Sequence, residues 1–209
     1  MEEKNMKKII ALLLALTMLA AFAGCNNTDT PETTEGTKPV ETTTEPVVKT
    51  SAIEIMNNIW AKYTNPETTP FVMGGSINAE GVPAGEGVPG KYDLTDAETA
   101  AGLMSILYIP EAELANIDDC ATAMHAMMAN NFTAGVVHVK GDAAAFANTM
   151  STALSNNQWI CGVPETLYVA VIGGEYVVMG FGAADLMNGF ISNVSAAYPD
   201  AQAVLGGNA

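Results

Sequence analysis

The chain has 209 residues and a formal net charge of −15, with 23 acidic residues against eight lysines and no arginine. Nucleic-acid binding requires a basic face, and arginine is the side chain best suited to clamp phosphate and carboxylate groups. The composition therefore argues strongly against nucleic acid and against anionic lipid headgroups as partners. A cationic ligand or peptide is easier to accommodate, and the same charge would also keep an anchored surface protein soluble.

The first 25 residues have the pattern of a bacterial lipoprotein signal peptide. Lys7 and Lys8 precede an apolar run over residues 9–23, and small residues then lead to Cys25. The run is about 15 residues, which fits a signal peptide and is shorter than the about 20 that a membrane-spanning helix needs. We expect residues 1–24 to be removed and Cys25 to carry a diacylglyceryl group, which holds the protein on the extracytoplasmic side of the cell membrane.

Alternatives to this assignment stay open at the sequence level. The usual lipobox has leucine three residues before the cysteine, where this chain has Phe22. An ordinary secretory signal or an uncleaved anchor would contain a similar apolar run. Glu2 and Glu3 are unusual in a basic leader, and translation from Met6 instead of Met1 would give a more typical start.

Residues 26–50 consist almost entirely of Thr, Glu, Pro, Asn and Lys. Such a segment has too few apolar side chains to offset the entropy lost on ordering. We therefore interpret residues 25–50 as the lipidated cysteine and a disordered tether, which as a flexible coil would span roughly 25–30 Å. A glycosylated stalk is the alternative, because threonine is dense here.

The folded part is predicted to be a single domain over residues 51–209, beginning with short helices. Ser51 and Glu54 form a capping-box pattern before an apolar stripe of helical spacing that ends near Pro66. A second capping box is predicted at Thr95 and a helical turn at Pro110. Between these helices, residues 64–92 are so rich in glycine and proline that we predict a mobile loop.

The C-terminal half has the clearest pattern. Strands are predicted over residues 121–128 and 132–140 around an Asn130-Asn131 turn, and over residues 166–172 and 176–181 around Gly173-Gly174. A helix capped by Asp142 follows the first hairpin, and a helix ending before Pro199 follows the second. The predicted fold is α+β: a ββαββα order in which two hairpins form one antiparallel sheet. Helices cover one face of this sheet and leave the other for solvent or a partner.

The chain resembles small clostridial-type (Firmicutes) lipoproteins that carry a C-terminal domain of unknown function. The residues that support the resemblance are the anchor through Cys25, the run over residues 167–179 and the helix over residues 142–154. The resemblance implies a location and a fold class, and it implies no activity.

Few residues are candidates for chemistry. His125 and His138, the two histidines of the chain, fall on the strands of the first predicted hairpin. A two-residue turn would place them at diagonal reach on one face, where Asp118 or Asp119 could complete a metal site. A three-residue turn would place them on opposite faces. Ordinary strand histidines are the favoured interpretation.

Cys120 and Cys161 would remain after lipidation of Cys25. An extracytoplasmic location permits a disulfide between them. Their spacing matches no metal-binding or redox motif, and two buried free thiols are the favoured alternative.

We expect a non-catalytic binding module that recognises an unknown ligand or envelope protein and needs no cofactor. A hydrolase or metal-dependent protein that uses His125 and His138 is the second hypothesis, and a passive envelope component is the third. No serine lies in a Gly-x-Ser-x-Gly motif, although a triad assembled from distant positions stays open.

Overall fold

The computed structural model describes residues 50–160 and 162–206. The predicted signal peptide, the predicted lipidation site Cys25, residues 26–49 of the predicted tether and Cys161 lie outside the described residues. No helix within the described ranges has the length and apolar character needed to cross a membrane.

Residues 50–160 and 162–206 combine helices with one eight-stranded antiparallel sheet, which confirms the predicted mixture of helix and antiparallel sheet. The helices are α1 (Ala52–Trp60), α2 (Ala97–Ala101), α3 (Leu103–Ile106), α4 (Glu111–Leu114), α5 (Ala143–Ser155) and α6 (Ala184–Ala197). The strands are β1 (Val72–Ile77), β2 (Pro83–Glu86), β3 (Gly90–Lys91), β4 (Ile117–His125), β5 (Phe132–Val139), β6 (Thr166–Ile172), β7 (Tyr176–Gly182) and β8 (Gln202–Leu205). The strand order is β2-β1-β4-β5-β7-β6-β8, with β3 also paired to β4.

The hairpin β6–β7 follows the predicted positions closely. Thr166 pairs with Gly182 at one end and Ile172 with Tyr176 at the other. Gly173 and Gly174 form the turn with φ angles of 61° and 76°, a left-handed backbone that glycine adopts without steric cost.

The hairpin β4–β5 differs from its prediction. Strand β4 begins at Ile117 and ends at His125, and Met124 pairs with Thr133. The connection is longer than two residues and contains a 3₁₀ turn over Ala129–Asn131. The two-residue turn predicted at Asn130-Asn131 was therefore wrong, and with it the predicted register.

Both faces of the sheet are covered by helices, so the prediction of helices on one face was wrong. Every residue of β5 and of β7 is buried. Val136 packs in the cluster that contains α1 and α6, and its neighbour Val137 packs in the cluster that contains α5. The reason lies in the sequence, since these strands are apolar at nearly every position instead of every second one. The sheet face that we expected to be free for a partner is therefore occupied.

The segment predicted as a mobile loop over residues 64–92 contains strands β1, β2 and β3. Its glycines make these pairings sterically allowed. A Cβ atom on Gly74 would lie 2.1 Å from the backbone nitrogen of Gly90 and 2.4 Å from the carbonyl carbon of Pro89. These glycines suggested an irregular loop. In the structure they instead allow the backbone of β1 to lie close to the backbone around Gly90.

The helix ends combine expected and unexpected caps. Ser51 and Glu54 form the predicted capping box at α1, and the side chain of Asp142 accepts hydrogen bonds from Ala144 and Ala145 at α5. The predicted cap at Thr95 was wrong, because the carboxylate of Asp96 caps α2 by accepting from the backbone N–H of Thr99 at 2.7 Å.

Candidate functional site

A cluster of polar side chains lies at the end of the sheet where β4 and β7 begin and β5 ends. The strand register brings these side chains together, because His138 of β5 pairs with Asp119 of β4 on one side and with Tyr176 of β7 on the other. A β-bulge between Ile117 and Asp119 gives β4 an extra residue at Asp118. The bulge allows two consecutive carboxylates to lie beside His138.

His138 is the buried centre of this cluster. Its side chain is 9% exposed, and its Nδ1 atom contacts the Oδ1 atom of the half-exposed Asp118. Its ring packs on Tyr176, with 4.9 Å between the ring centroids and 58° between the ring planes.

Side chains of the same cluster form hydrogen bonds with the first residues of the domain. The Oδ2 atom of Asp119 accepts a hydrogen bond from the backbone N–H of Ala52 at 2.7 Å, and the Tyr176 hydroxyl donates to the backbone carbonyl of Thr50. The first residues of the domain are thus tied to β4 and β7. Burial, together with the nearby carboxylates of Asp119 and Glu175, raises the pKa of Tyr176 still further above neutral pH.

The two carboxylate oxygens of Asp119 differ in their hydrogen bonding. Its Oδ1 atom is buried and has no hydrogen-bond partner among the described residues, and the Lys91 ammonium lies 3.8 Å away. Asp119 therefore contributes to the site mainly through its contact with α1.

Three hollows adjoin at this end of the sheet. A central one of about 180 Å³ is lined by Asp118, Asp119, His138, Tyr176, Thr50 and Ser51. On one side, Asp118 and Asp119 also line a cleft of about 510 Å³ that reaches Lys91. On the other side, Thr50 and Tyr176 also line a cleft of about 590 Å³, which we call the tyrosine cleft.

The tyrosine cleft is acidic and aromatic. Its polar side chains include those of Tyr176, Tyr198, Glu175 and Asp200, and its apolar ones come from the ends of α1, β6 and α6. No lysine or histidine lines it. Its side chains therefore favour a positively charged ligand over an anion.

The His138–Asp118 contact resembles part of a catalytic triad, but among the described residues no unengaged serine hydroxyl lines the same hollow. Ser51 lines the same hollow, yet its Oγ atom contacts the Glu54 carboxylate at 3.0 Å and accepts from the Glu54 backbone N–H. The capping box therefore already uses this hydroxyl. Among the described residues, no group of three or more His, Cys, Asp or Glu side chains is placed to hold a metal ion.

His125 does not join His138. It lies at the far end of β4, where its Nδ1 atom accepts from the backbone N–H groups of Met127 and Met128 at 3.2 and 3.3 Å. In the observed register His138 is opposite Asp119, six residues before His125. The diagonal pair that a two-residue turn would have produced is therefore not formed, and the favoured interpretation of two separate strand histidines agrees with the observed register.

Cys120 lies on β4 and is fully buried. Burial, with a smaller effect of Asp119, raises the pKa of its thiol, so the thiolate is strongly disfavoured. Cys161, its predicted partner, lies outside the described residues, and the disulfide stays a prediction.

No known protein family, curated protein or solved structure matches the chain. We therefore infer its function from its own residues. Sequence patterns alone missed Tyr176, Tyr198, Glu175 and Asp200 as site residues. Two signals were available, namely a carboxylate and a tyrosine directly after the Gly173-Gly174 turn, and a Tyr-Pro-Asp sequence directly after the last helix.

We expect replacement of Asp119 by alanine to lower the free energy of unfolding by about 1–2 kcal/mol, since the Ala52 N–H loses its acceptor. Urea denaturation of both proteins measures the difference. Asp200→Ala is the control, because that exposed carboxylate makes no side-chain hydrogen bond within the described residues, and we expect a change within about 0.5 kcal/mol. Equal effects of the two substitutions would contradict the anchoring role of Asp119.

Proposed function

We propose that this chain is a lipid-anchored, extracytoplasmic binding module at the cell envelope, without catalytic activity, and that its tyrosine cleft binds a cationic ligand. The observation that carries the ligand class is the lining of the cleft, which contains two tyrosines and two carboxylates and no basic side chain.

The anchor is supported by the sequence. Lys7 and Lys8, the apolar run over residues 9–23 and the small residues before Cys25 together favour processing and lipidation at that cysteine. The acidic, threonine-rich composition of residues 26–50 favours a tether, and we retain the resemblance to clostridial-type lipoproteins as part of the proposal. Two acyl chains give stable membrane attachment where one would give only marginal binding.

The ligand class follows from the chemistry of the cleft. Tyr176 and Tyr198 both line the cleft, and a tyrosine ring face that a cation reaches attracts it by about 0.5–2 kcal/mol, depending on how far the cation is desolvated. Glu175 and Asp200 add opposite charge at the same place. A volume of about 590 Å³ lies within the usual 300–1,000 Å³ of small-molecule sites. A primary amine, a quaternary ammonium group or a lysine side chain fits these features.

The cleft also adjoins the point where the tether enters the domain. Thr50 lines both the tyrosine cleft and the central hollow, and its carbonyl accepts from the Tyr176 hydroxyl. In the proposed arrangement, ligand binding therefore takes place beside the tether.

We further infer that the folded part is a ββαββα unit preceded by short helices, and that it consists of two similar ββα halves. The consecutive elements β4, β5, α5 and β6, β7, α6 support this proposal. Similar sequences at residues 136–146 and 177–187 also support it.

The alternative of a hydrolase or metal-dependent protein that uses His125 and His138 has less support. The two histidines lie at opposite ends of β4–β5, and the Nδ1 atom of His138 already contacts Asp118. A passive envelope component would differ from our proposal by showing no ligand.

Binding can be tested by thermal unfolding of the compact unit Val47–Ala209 with choline, free lysine, spermidine and a lysine-rich peptide. A ligand at about 100 times its dissociation constant adds about 2.7 kcal/mol, which raises the midpoint by several degrees. We expect Glu175→Gln combined with Asp200→Asn to abolish the shift, and Glu98→Gln combined with Glu111→Gln, which removes two exposed charges elsewhere, to leave it intact. No shift with any of the four probes, or equal loss in both double variants, would refute the assignment of the cleft.

The anchor is tested separately in cells. We expect the wild-type chain to incorporate labelled palmitate and to sediment with membranes, and Cys25→Ala to do neither, because that variant lacks the thiol that is acylated. Cys120→Ala is the matched control and should behave as the wild type does. Membrane attachment that survives Cys25→Ala would contradict lipidation at this residue.

A further inference from the structure

A further cavity adjoins the cleft that reaches Lys91. We call that cleft the lysine cleft and the cavity beside it the inner pocket. The inner pocket has a volume of about 240 Å³ and lies against β1, β2, β4 and the short helices α2 and α3. Its side chains are mostly apolar, namely those of Met73, Ile77, Pro83, Tyr92, Ile106 and Met124.

Two polar side chains of the inner pocket are already hydrogen-bonded within the protein. The Tyr92 hydroxyl donates to the carbonyl oxygen of Thr99 at 2.9 Å, and the Thr122 hydroxyl oxygen accepts from the N–H of Gly75 at 3.0 Å. A cavity of about 150 Å³ with an apolar lining stays dry and takes up benzene. The inner pocket therefore has the size and the lining to hold an apolar group, and methionine side chains adapt to the shape of such a group.

The inner pocket and the lysine cleft share part of their walls. Ile77, Pro83, Tyr92 and Thr99 line both, so one occupant can extend from the inner pocket into the cleft. Ile77 is 60% exposed, and Val82, which also lines the cleft, is 51% exposed. The cleft of about 510 Å³ is in the usual size range of small-molecule sites.

The lysine cleft presents both signs of charge. Lys91 is the one basic residue among the described residues that line it, and its side chain is 67% exposed. Its ammonium lies 3.8 Å from Asp119, which is too far for a hydrogen bond, so its donors are available to a ligand. The side chain of Asp118 is 44% exposed and contacts His138 through Oδ1, which leaves the Oδ2 atom as an acceptor.

These groups discriminate between kinds of apolar ligand. A simple amine would leave Lys91 beside a second positive charge, and a simple carboxylic acid would be repelled by Asp118 and Asp119. Asp93, which also lines the cleft, already accepts from the N–H and the hydroxyl of Thr95. An α-amino acid carries a carboxylate, an ammonium group and a side chain on one carbon atom, so it complements the lysine, the aspartate and the inner pocket together.

We propose that the lysine cleft and the inner pocket bind a free α-amino acid with an apolar side chain. The side chain enters the inner pocket, the α-carboxylate pairs with Lys91, and the α-ammonium pairs with Asp118. This inference depends neither on the ligand proposed for the tyrosine cleft nor on the proposed anchor.

The test is equilibrium dialysis of the purified full chain with radiolabelled L-leucine. We expect saturable binding that L-methionine and L-phenylalanine displace. Glycine lacks the apolar side chain, and isopentylamine has the apolar body and the ammonium group of leucine without the carboxylate. Each of these two compounds should bind at least tenfold more weakly than leucine.

Substitutions in the two cavities should separate the groups of the ligand. We expect Lys91→Gln to lower the affinity for leucine at least tenfold without lowering the affinity for isopentylamine, because it removes only the partner of the carboxylate. Lys62→Gln, at an exposed lysine outside the cleft, is the matched control and should bind leucine as the wild type does. Ile106→Trp should fill the inner pocket and abolish leucine binding, with Met124→Trp as a second variant if Ile106→Trp does not accumulate.

The inference is overturned if leucine does not bind saturably, if Lys91→Gln binds leucine as the wild type does, or if a folded tryptophan variant still binds it. It is also overturned if glycine or isopentylamine displaces leucine as well as leucine itself does. Loss of leucine binding in Glu175→Gln combined with Asp200→Asn would contradict it as well, because that result would place the amino acid in the tyrosine cleft.

Discussion

The burial of both faces of β5 and β7 is the constraint on which the rest of this structure depends. Every residue of these two central strands is buried, so helices must pack against both faces of the sheet. Helices α1 and α6 cover one face, and α5 with the short helices α3 and α4 covers the other. Each fully buried aliphatic side chain contributes about 1.5–3 kcal/mol, which makes two covered faces strongly favoured. The faces of β5 and β7 are therefore not accessible to a partner.

The two ends of the sheet have opposite character. One end carries His138 between Asp119 and Tyr176, and it adjoins a cleft with two further carboxylates. The other end exposes large apolar side chains, among them Phe71 and Met127. The Tyr176 hydroxyl at the acidic end also donates a hydrogen bond to the carbonyl oxygen of Thr50.

Local patterns predicted part of this fold well. The hairpin β6–β7 was predictable because paired glycines require a particular turn and thereby define the register of both strands. Helices α5 and α6 were predictable from their apolar spacing, and α5 also from Asp142. The register of β4–β5 could not be predicted in this way. The turn that determines it depends on the 3₁₀ turn over Ala129–Asn131 and on hydrogen bonds to the His125 side chain.

The candidate site was harder to predict, because its residues come together through pairings between distant parts of the chain. His138 was recognised as a chemically competent residue, but its neighbour Tyr176 depends on the β5–β7 pairing, which no local pattern specifies. The strands within residues 72–91 were missed for a related reason. A glycine in these strands allows another backbone segment to lie close to it, but the sequence does not show which segment that is.

The most direct test of the central claim is solvent labelling of two consecutive positions on β5. Val136 and Val137 point to opposite faces, and both are buried. In Val136→Cys and Val137→Cys, the new thiols should both be protected from an alkylating reagent in the native protein. Ile77→Cys should react readily, with peptide mass spectrometry separating each site from the native cysteines. Rapid labelling of one of the two β5 positions, at a rate similar to that of position 77, would show that one face of the sheet is open and would contradict the account.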